Sequence, residues 1–231
     1  MRYTLNLDIE FRKNPYKGLY IALEGIDGSG KSTQQQALSD YFAKHGQTVI
    51  STCEPRVDLP GGEIIMQYFK SEITLPAMAF QHFATANRVV NQDRIVIPAL
   101  EKGEIVISDR CFWSAVPYGL MDKGVSFTSD EAQRMLVTQS LLSHYHQFIT
   151  PDVVFYIDIN ASTGLERSLK KKNRRELDIY EKKEKLERVI QGYQWLVKEY
   201  KDEFEIIDGE KKKDAITDII ISYLHRKKLI L

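Results

Sequence analysis

Residues Leu23 to Gln35 read LEGIDGSGKSTQQ, and within them Gly25, Gly30, Lys31 and Ser32 keep the spacing G-x-x-x-x-G-K-[ST]. This is the pattern of a phosphate-binding loop, and each residue type has a physical task in it. The small residues Gly25, Gly28, Ser29 and Gly30 let the backbone wrap an anion, so that successive N–H groups point inward at phosphate oxygens. Lys31 brings a compact charge to the terminal phosphates, and the Ser32 hydroxyl is placed to ligate Mg²⁺. The context fits as well. Leu19 to Leu23 (LYIAL) reads as a short buried strand, and the residues after Lys31 follow helical spacing, which sets a helix N-terminus at the anion site.

The rest of the chain extends this strand–loop–helix unit. Gln47 to Thr52 reads as a second strand and CEPRVDLPGGE as a loop, followed by a short helix carrying Ile64, Ile65, Tyr68 and Phe69. Residues 76 to 102 follow a long helical pattern that Pro98 is expected to kink or break. Glu104 to Ser108 reads as a third strand, with Asp109 and Arg110 just beyond it. The box T-x-x-E at Thr128 to Glu131 opens a helix expected to reach about Phe148. Val153 to Ile159 is apolar in the manner of a strand buried on both faces. Helices follow from Ser162 and over about Asp178 to Lys201, then a last strand at Phe204 to Ile207 and a closing helix over 213 to 227. Strands alternating with helices predict an α/β fold with a mostly parallel sheet covered on both faces. Residues 1 to 18 form an N-terminal extension. There Tyr3, Leu5, Leu7, Ile9 and Phe11 alternate with mostly polar residues, which reads either as an added edge strand or as a tail.

Composition limits the function classes. The 231 residues carry 32 basic and 32 acidic side chains, so no global field draws the chain to nucleic acid or a membrane surface. No apolar run approaches the roughly 20 residues that span a bilayer. Asp8 and Glu10 argue against a transit peptide, and Cys53 and Cys111 lack metal-site spacing. A reducing, cytoplasmic setting is expected.

In a parallel sheet ligands collect at the carboxyl ends of the strands. Three such ends carry charges: Glu24 and Asp27, then Glu54 and Arg56, then Asp109 and Arg110. Each alone reads equally well as a solvated loop charge. Together they suit phosphoryl transfer, which needs metal ligands and cations around the moving phosphate and little else. Asp109 is placed to hold a metal-bound water and Arg110 to clamp a second phosphate bidentately. The basic run Lys170 to Arg175 is either a solvated helix end or a flap that brings Arg174 or Arg175 over the γ-phosphate. Aromatic residues such as Tyr68, Phe69, Phe80, Phe83 and Tyr118 lie in segments that would border a second-substrate cleft, where core packing competes with stacking on a base. Arg88 is either a solvated charge or points into that cleft.

The ordered set LEGIDGSGKSTQ, EP with GGE beyond it, ANR, IPALEKGEIVISDR, Ser114 and Tyr118, PDVVFYIDI, GLER and RRELDIYE resembles the thymidylate kinases from about residue 19 to 209. The resemblance implies a P-loop kinase domain over 19–231 with a flap around 167–180. It also implies a homodimer that transfers the γ-phosphate of ATP to dTMP with Mg²⁺. Carried over by position, Gly25, Ile26, Asp27, Gly28, Ser29, Gly30, Lys31, Ser32 and Thr33 hold the ATP phosphates. Asp27 also reaches the acceptor's 3′-hydroxyl. Glu54 and Pro55 shape the acceptor site with Phe83, Ser114 and Tyr118, and Arg88 addresses the pyrimidine edge. Asp109 and Arg110 work at the metal and the acceptor phosphate. Arg167, Arg174 and Arg175 lie over the nucleotide, as in the branch that takes its catalytic arginine from the flap. The chain departs from the family at Cys53, where an arginine usually precedes Glu-Pro and for which Arg56 is the nearest substitute. It departs again at Ala84, Cys111 and Gly119, all around the base and sugar.

Overall fold

A computed structural model describes residues 10–127, 131–171, 180 and 182–230. Among these residues there are five strands, β1 (Tyr20–Glu24), β2 (Val49–Cys53), β3 (Ile105–Asp109), β4 (Val153–Asp158) and β5 (Phe204–Asp208). They form one sheet in the order β2-β3-β1-β4-β5, and every pairing is parallel. The helices are α1 (Lys31–Lys44), α2 (Gly62–Phe69), α3 (Ala77–Asn91), α4 (Ile97–Glu101), α5 (Ala115–Asp122), α6 (Glu131–Leu142), α7 (Ala161–Lys171), α8 (Lys183–Glu199) and α9 (Lys213–Arg226). The α/β class expected from the alternation is the one observed.

Why the central strands are apolar throughout is visible in the packing. β1 is buried at all five positions. Ile21, Leu23, Ile107 and Phe155 face Leu38 and Phe42 of α1 and Ile216, Ile220 and Leu224 of α9. On the other face Ala22, Val154 and Tyr156 meet Trp113, Leu141, Tyr145 and Tyr193. With both faces of β1, β3 and β4 covered, these three strands are buried up to their last residues, so the alternation of a half-exposed strand disappears there, while the edge strands β2 and β5 keep exposed positions such as Ser51 and Ile206. Register then fixes the working edge: Leu23 and Cys53 both pair with Asp109, which brings the ends of β1, β2 and β3 side by side.

The long helical pattern over 76 to 102 is divided in a particular way. Between α3 and α4 the chain winds as a π-helix over Gln92–Val96, and Pro98 follows in the first turn of α4. A proline ring clashes with the carbonyl four residues back and offers no N–H to it. The wider turn removes that conflict without a break. Inside it, the buried Gln92 exchanges two hydrogen bonds with the Ile149 backbone, at 2.9 and 3.0 Å. The helix expected to reach Phe148 ends at Leu142, where tighter bonds such as Tyr145 N–H to the Leu142 carbonyl (2.8 Å) turn Tyr145 inward. The expected cap at Thr128 and the alternation from Tyr3 to Ile9 lie outside the described residues. Phe11 stacks on Phe112 with ring centroids 5.5 Å apart, and the Arg12 carbonyl accepts from Thr150 N–H at 2.9 Å. Among the described residues no helix is long and apolar enough to cross a membrane.

Candidate active site

The glycine-rich turn links β1 to α1 as the motif requires. Gly28 has φ +79°, and a Cβ there would overlap the Gly164 carbonyl near the start of α7, so both the dihedral and the close approach call for glycine. Lys31 points back over the loop and donates to the carbonyls of Gly25 (3.1 Å) and Ile26 (2.8 Å). Its burial, followed by the nearby Arg110, pulls the ammonium pKa below the usual lysine value. Ser32 Oγ donates to Asp109 Oδ2 at 2.6 Å across the β1/β3 edge. Gln35 Nε2 holds the α1 start in place by donating to the carbonyls of Thr52 (2.6 Å) and Ile107 (2.7 Å).

Two compartments open at this edge. One contains Gly28, Gly30, Lys31, Ser32, Cys53, Asp109 and Ser168. The other is a largely apolar cavity walled by Phe69, Phe80, Ala84, Ala115, Tyr118 and Tyr180, with Pro55, Gln81, Arg88 and Ser114 also lining it. Asp27, Glu54 and Arg110 line both and form the shared wall. A third, open depression on the far side of the loop carries Ser29, Thr33, Arg167 and a lysine row at 211–213. Arg167 there donates to the Gly209 carbonyl at 3.1 Å. Ile26 is buried beneath the loop.

Arg110 is the best-anchored cation of the site. Its NH2 donates to Asp27 Oδ1 at 2.7 Å, its NH1 to the Gly25 carbonyl at 2.9 Å, and its guanidinium lies 5.1 Å from the Tyr118 ring centroid. Burial opposes its charge, but Tyr118, Asp27, Tyr193 and Glu24 outweigh burial and hold the pKa well above the ordinary value. The residue has φ +73°, a left-handed conformation that costs a non-glycine residue about 1–3 kcal/mol. Two bonds fix it there: Arg110 N–H to the Leu23 carbonyl (2.8 Å) and Ser108 Oγ to the Arg110 carbonyl (2.6 Å).

Behind Arg110 stands Glu24, fully buried at the end of β1. It accepts from Ser114 Oγ (2.6 Å), Tyr193 Oη (2.6 Å), Cys111 N–H (2.9 Å) and Cys111 Sγ (3.4 Å). Ser114 therefore lines the cavity with its hydroxyl already bound to Glu24. At the other end Arg88 is buried rather than solvated. It donates through Nε to Glu54 Oε2 (2.9 Å) and through NH1 to Tyr145 Oη (2.8 Å). Burial lifts the Glu54 carboxyl to a pKa of about 7 against the pull of Arg88. Arg88, for its part, is held above its ordinary value by Tyr145 and Glu54, again against burial.

Some sequence expectations meet a different geometry. Phe83 does not line the cavity; on α3 the positions 80, 84 and 88 share a face, and Phe80 supplies the ring. Arg56 does not replace the missing cation at Cys53: it is paired with Asp58 at 2.8 and 2.7 Å and lines neither compartment. Arg174 and Arg175 lie outside the described residues. Gln81, Tyr145 and Tyr193 carry no signal of their own in the sequence, where Glu24 reads as one loop charge among several. Tyr180, equally silent there as a site residue apart from its place in the DIYE run, is buried and donates to Asp122 Oδ2 at 2.8 Å.

A phosphate loop at the carboxyl edge of a parallel 2-3-1-4-5 sheet, sharing a charged wall with a second cavity, defines a P-loop phosphotransferase with separate places for donor and acceptor. The family model for thymidylate kinase matches residues 23–220, and the chain belongs to the thymidylate kinase family. A thymidylate kinase of an Exiguobacterium species is 31% identical over 211 residues, covering 89% of this chain and 93% of the relative. The thymidylate kinase of Thermosipho africanus is 35% identical over 202 residues, covering 86% and 93%. A probable thymidylate kinase of Thermococcus kodakarensis is 29% identical over 215 residues, covering 89% and 97%.

Proposed function

We propose that this chain is an ATP-dependent dTMP kinase that moves the γ-phosphate of ATP to the 5′-phosphate of dTMP, giving dTDP and ADP. The observation that carries this reading is the shared wall. Asp27, Glu54 and Arg110 face both the phosphate loop and the apolar cavity, so two phosphate groups held on either side meet across one guanidinium. An acceptor phosphate oxygen attacks the γ-phosphorus while its bond to the ADP oxygen breaks, and no proton need be removed from the nucleophile. The protein's share is positioning and charge.

In this reading the loop N–H groups and Lys31 hold the donor phosphates, with Arg167 on the nucleotide side. Arg110 orients the acceptor phosphate, and Asp27 both sets the angle of that guanidinium and faces the acceptor sugar. Arg88, Phe80 and Tyr118 line the space for the base. Ser32 and Asp109 supply adjacent hard oxygens. Among the described residues no group of three or more His, Cys, Asp or Glu makes a protein cage. That donor set suits Mg²⁺, which binds through one or two protein oxygens plus phosphates and, when bound, neutralises their charge. The flap arginines Arg174 and Arg175 act over the γ-phosphate. Exposed Val89 on α3 and Leu136 on α6 support a homodimer, and the free thiols Cys53 and Cys111 agree with a cytoplasmic setting.

The test is ADP release with ATP and Mg²⁺ against dTMP, dUMP, dCMP, dGMP and dAMP. A clear preference for dTMP is expected. Turnover with no pyrimidine monophosphate overturns the reading, and a flat profile overturns its base assignment.

A further inference from the structure

The apolar cavity contains one polar side chain that the rest of the site leaves unused. Gln81 is only 4% exposed, yet among the described residues its carboxamide has no hydrogen-bond partner; only its backbone carbonyl is engaged, by Thr85 Oγ1 at 2.8 Å. The residue lines the cavity, so its donor and its acceptor are open to a ligand that enters there. On the α5 side stands Gly119, where a Cβ would lie 2.6 Å from Leu141 Cδ1 and 3.6 Å from Gln81 Nε2, so a larger residue there would crowd both side chains.

Position on the helix indicates what the amide meets. Ala84 lies three residues after Gln81 and four before Arg88, so the three share one face of α3, with the methyl in the middle. Phe80, Phe69 and Tyr180, whose rings contact one another, line the same cavity as that methyl. A flat heterocycle resting on Ala84 then has a polar group at each end. Arg88 offers only donors, and two of its nitrogens are already committed to Glu54 and Tyr145. Gln81 offers both a donor and an acceptor.

We propose that Gln81 is a base-reading residue. Its Oε1 accepts the ring N3–H of the acceptor pyrimidine and its Nε2 donates to the adjacent carbonyl O2, while Arg88 donates to O4. This rests on the cavity being the dTMP site. Thymine and uracil satisfy all three contacts. Cytosine presents an amino group to Arg88 and a bare N3 to Oε1; rotating the amide corrects the second contact but turns Oε1 toward O2. The pair Gln81 and Arg88 therefore selects an imide edge, and neither does so as well alone.

The experiment measures kcat/KM for dTMP, N3-methyl-dTMP and dCMP on the parent enzyme and on Gln81→Met, which keeps the length and burial of the side chain and removes its hydrogen bonds. The variant is expected to lose about 10-fold or more in kcat/KM for dTMP, through KM with kcat near the parent value. Its discrimination between dTMP and N3-methyl-dTMP is expected to shrink by a similar factor, and its preference for dTMP over dCMP to narrow. Equal losses on dTMP and N3-methyl-dTMP would make Gln81 a packing residue and overturn the proposal. If the methionine variant does not fold, Gln81→Glu keeps the acceptor and the size: it should retain discrimination against N3-methyl-dTMP while KM for dTMP rises. Loss of that discrimination overturns the proposal equally. A parent enzyme that turns over no pyrimidine monophosphate overturns the reading of the cavity itself, and that result is visible before any variant is made.

Discussion

Tyr193 donates its hydroxyl to Glu24 Oε2 at 2.6 Å and so ties the middle of α8 to the last residue of β1, 169 positions earlier. Its ring stacks on Tyr156 of β4 at 4.9 Å, and its oxygen lies 3.4 Å from Arg110 NH1. Tyr193→Phe keeps the stacking and removes one donor from a buried carboxylate. A loss of about 1.5–3 kcal/mol is expected, the range for hydrogen bonds to charged groups. Urea unfolding measures it, and an unchanged midpoint would show that the bond contributes nothing net.

Arg110→Lys tests whether the shared wall needs a fork or only a charge. An ammonium cannot reach Asp27 and the Gly25 carbonyl together, nor lie flat against Tyr118. kcat/KM for the acceptor should fall on the order of 10²-fold or more, the scale of a lost oriented electrostatic contact. A lysine enzyme within a factor of a few of the parent would reduce Arg110 to a point charge.

Glu54 predicts how stability depends on pH. Burial raises its pKa from 4.5 to about 7 in the folded chain. Between those values the folded state binds the extra proton, so the stability this group contributes is complete below 4.5 and declines as pH rises through about 7. The limiting slope of one such group is about 1.4 kcal/mol per pH unit. Glu54→Gln should flatten the parent's melting-temperature profile across this window; two superimposable profiles would contradict the assignment.

Gly164→Ala places helix propensity against contact. Alanine favours an exposed helix interior by about 1 kcal/mol. At 164, however, a Cβ would stand 2.8 Å from the Asp27 carbonyl and 2.7 Å from Ile26 Cδ1. Contact should win. ATP affinity is expected to drop more than thermal stability, read by titration calorimetry beside a melt, and a variant that melts higher and binds ATP normally would reverse the ranking.

Loss of Lys31 and loss of Arg174 with Arg175 should separate turnover from binding. Lys31→Met removes the cation from inside the loop and should lower both ATP affinity and turnover. The double variant Arg174→Ala/Arg175→Ala should keep ATP affinity and lose on the order of 10³-fold in kcat, the low end for an arginine supplied to a moving phosphoryl group. Unaltered turnover in that variant would place the catalytic cation elsewhere.

The parts legible in the sequence were those set by local rules. The glycine spacing placed the phosphate loop, continuous apolar runs marked strands buried on both faces, and charges just after Leu23, Cys53 and Ser108 marked the working edge. The parts that stayed hidden depend on distant packing. Nothing near Tyr193 or Tyr145 in the chain says that one meets Glu24 and the other Arg88. Phe80 and Phe83 are equally aromatic, and only the rotation of α3 against the sheet decides which ring enters the cavity. Gln92 reads as one more polar residue on a helix until Ile149 is set opposite it.

The π-helix at Gln92–Val96 has a consequence beyond accommodating Pro98. It behaves as a phase shifter between two otherwise rigidly geared faces: residues 80, 84 and 88 look into the cavity, while Val96, Ala99 and Leu100 pack beside Tyr20 and Val106. In an unbroken helix any rotation that retuned the first face would misalign the second. Here the extra residue in the turn takes up the difference, and the part of the chain that meets the base is free to diverge while the core it rides on keeps its registration.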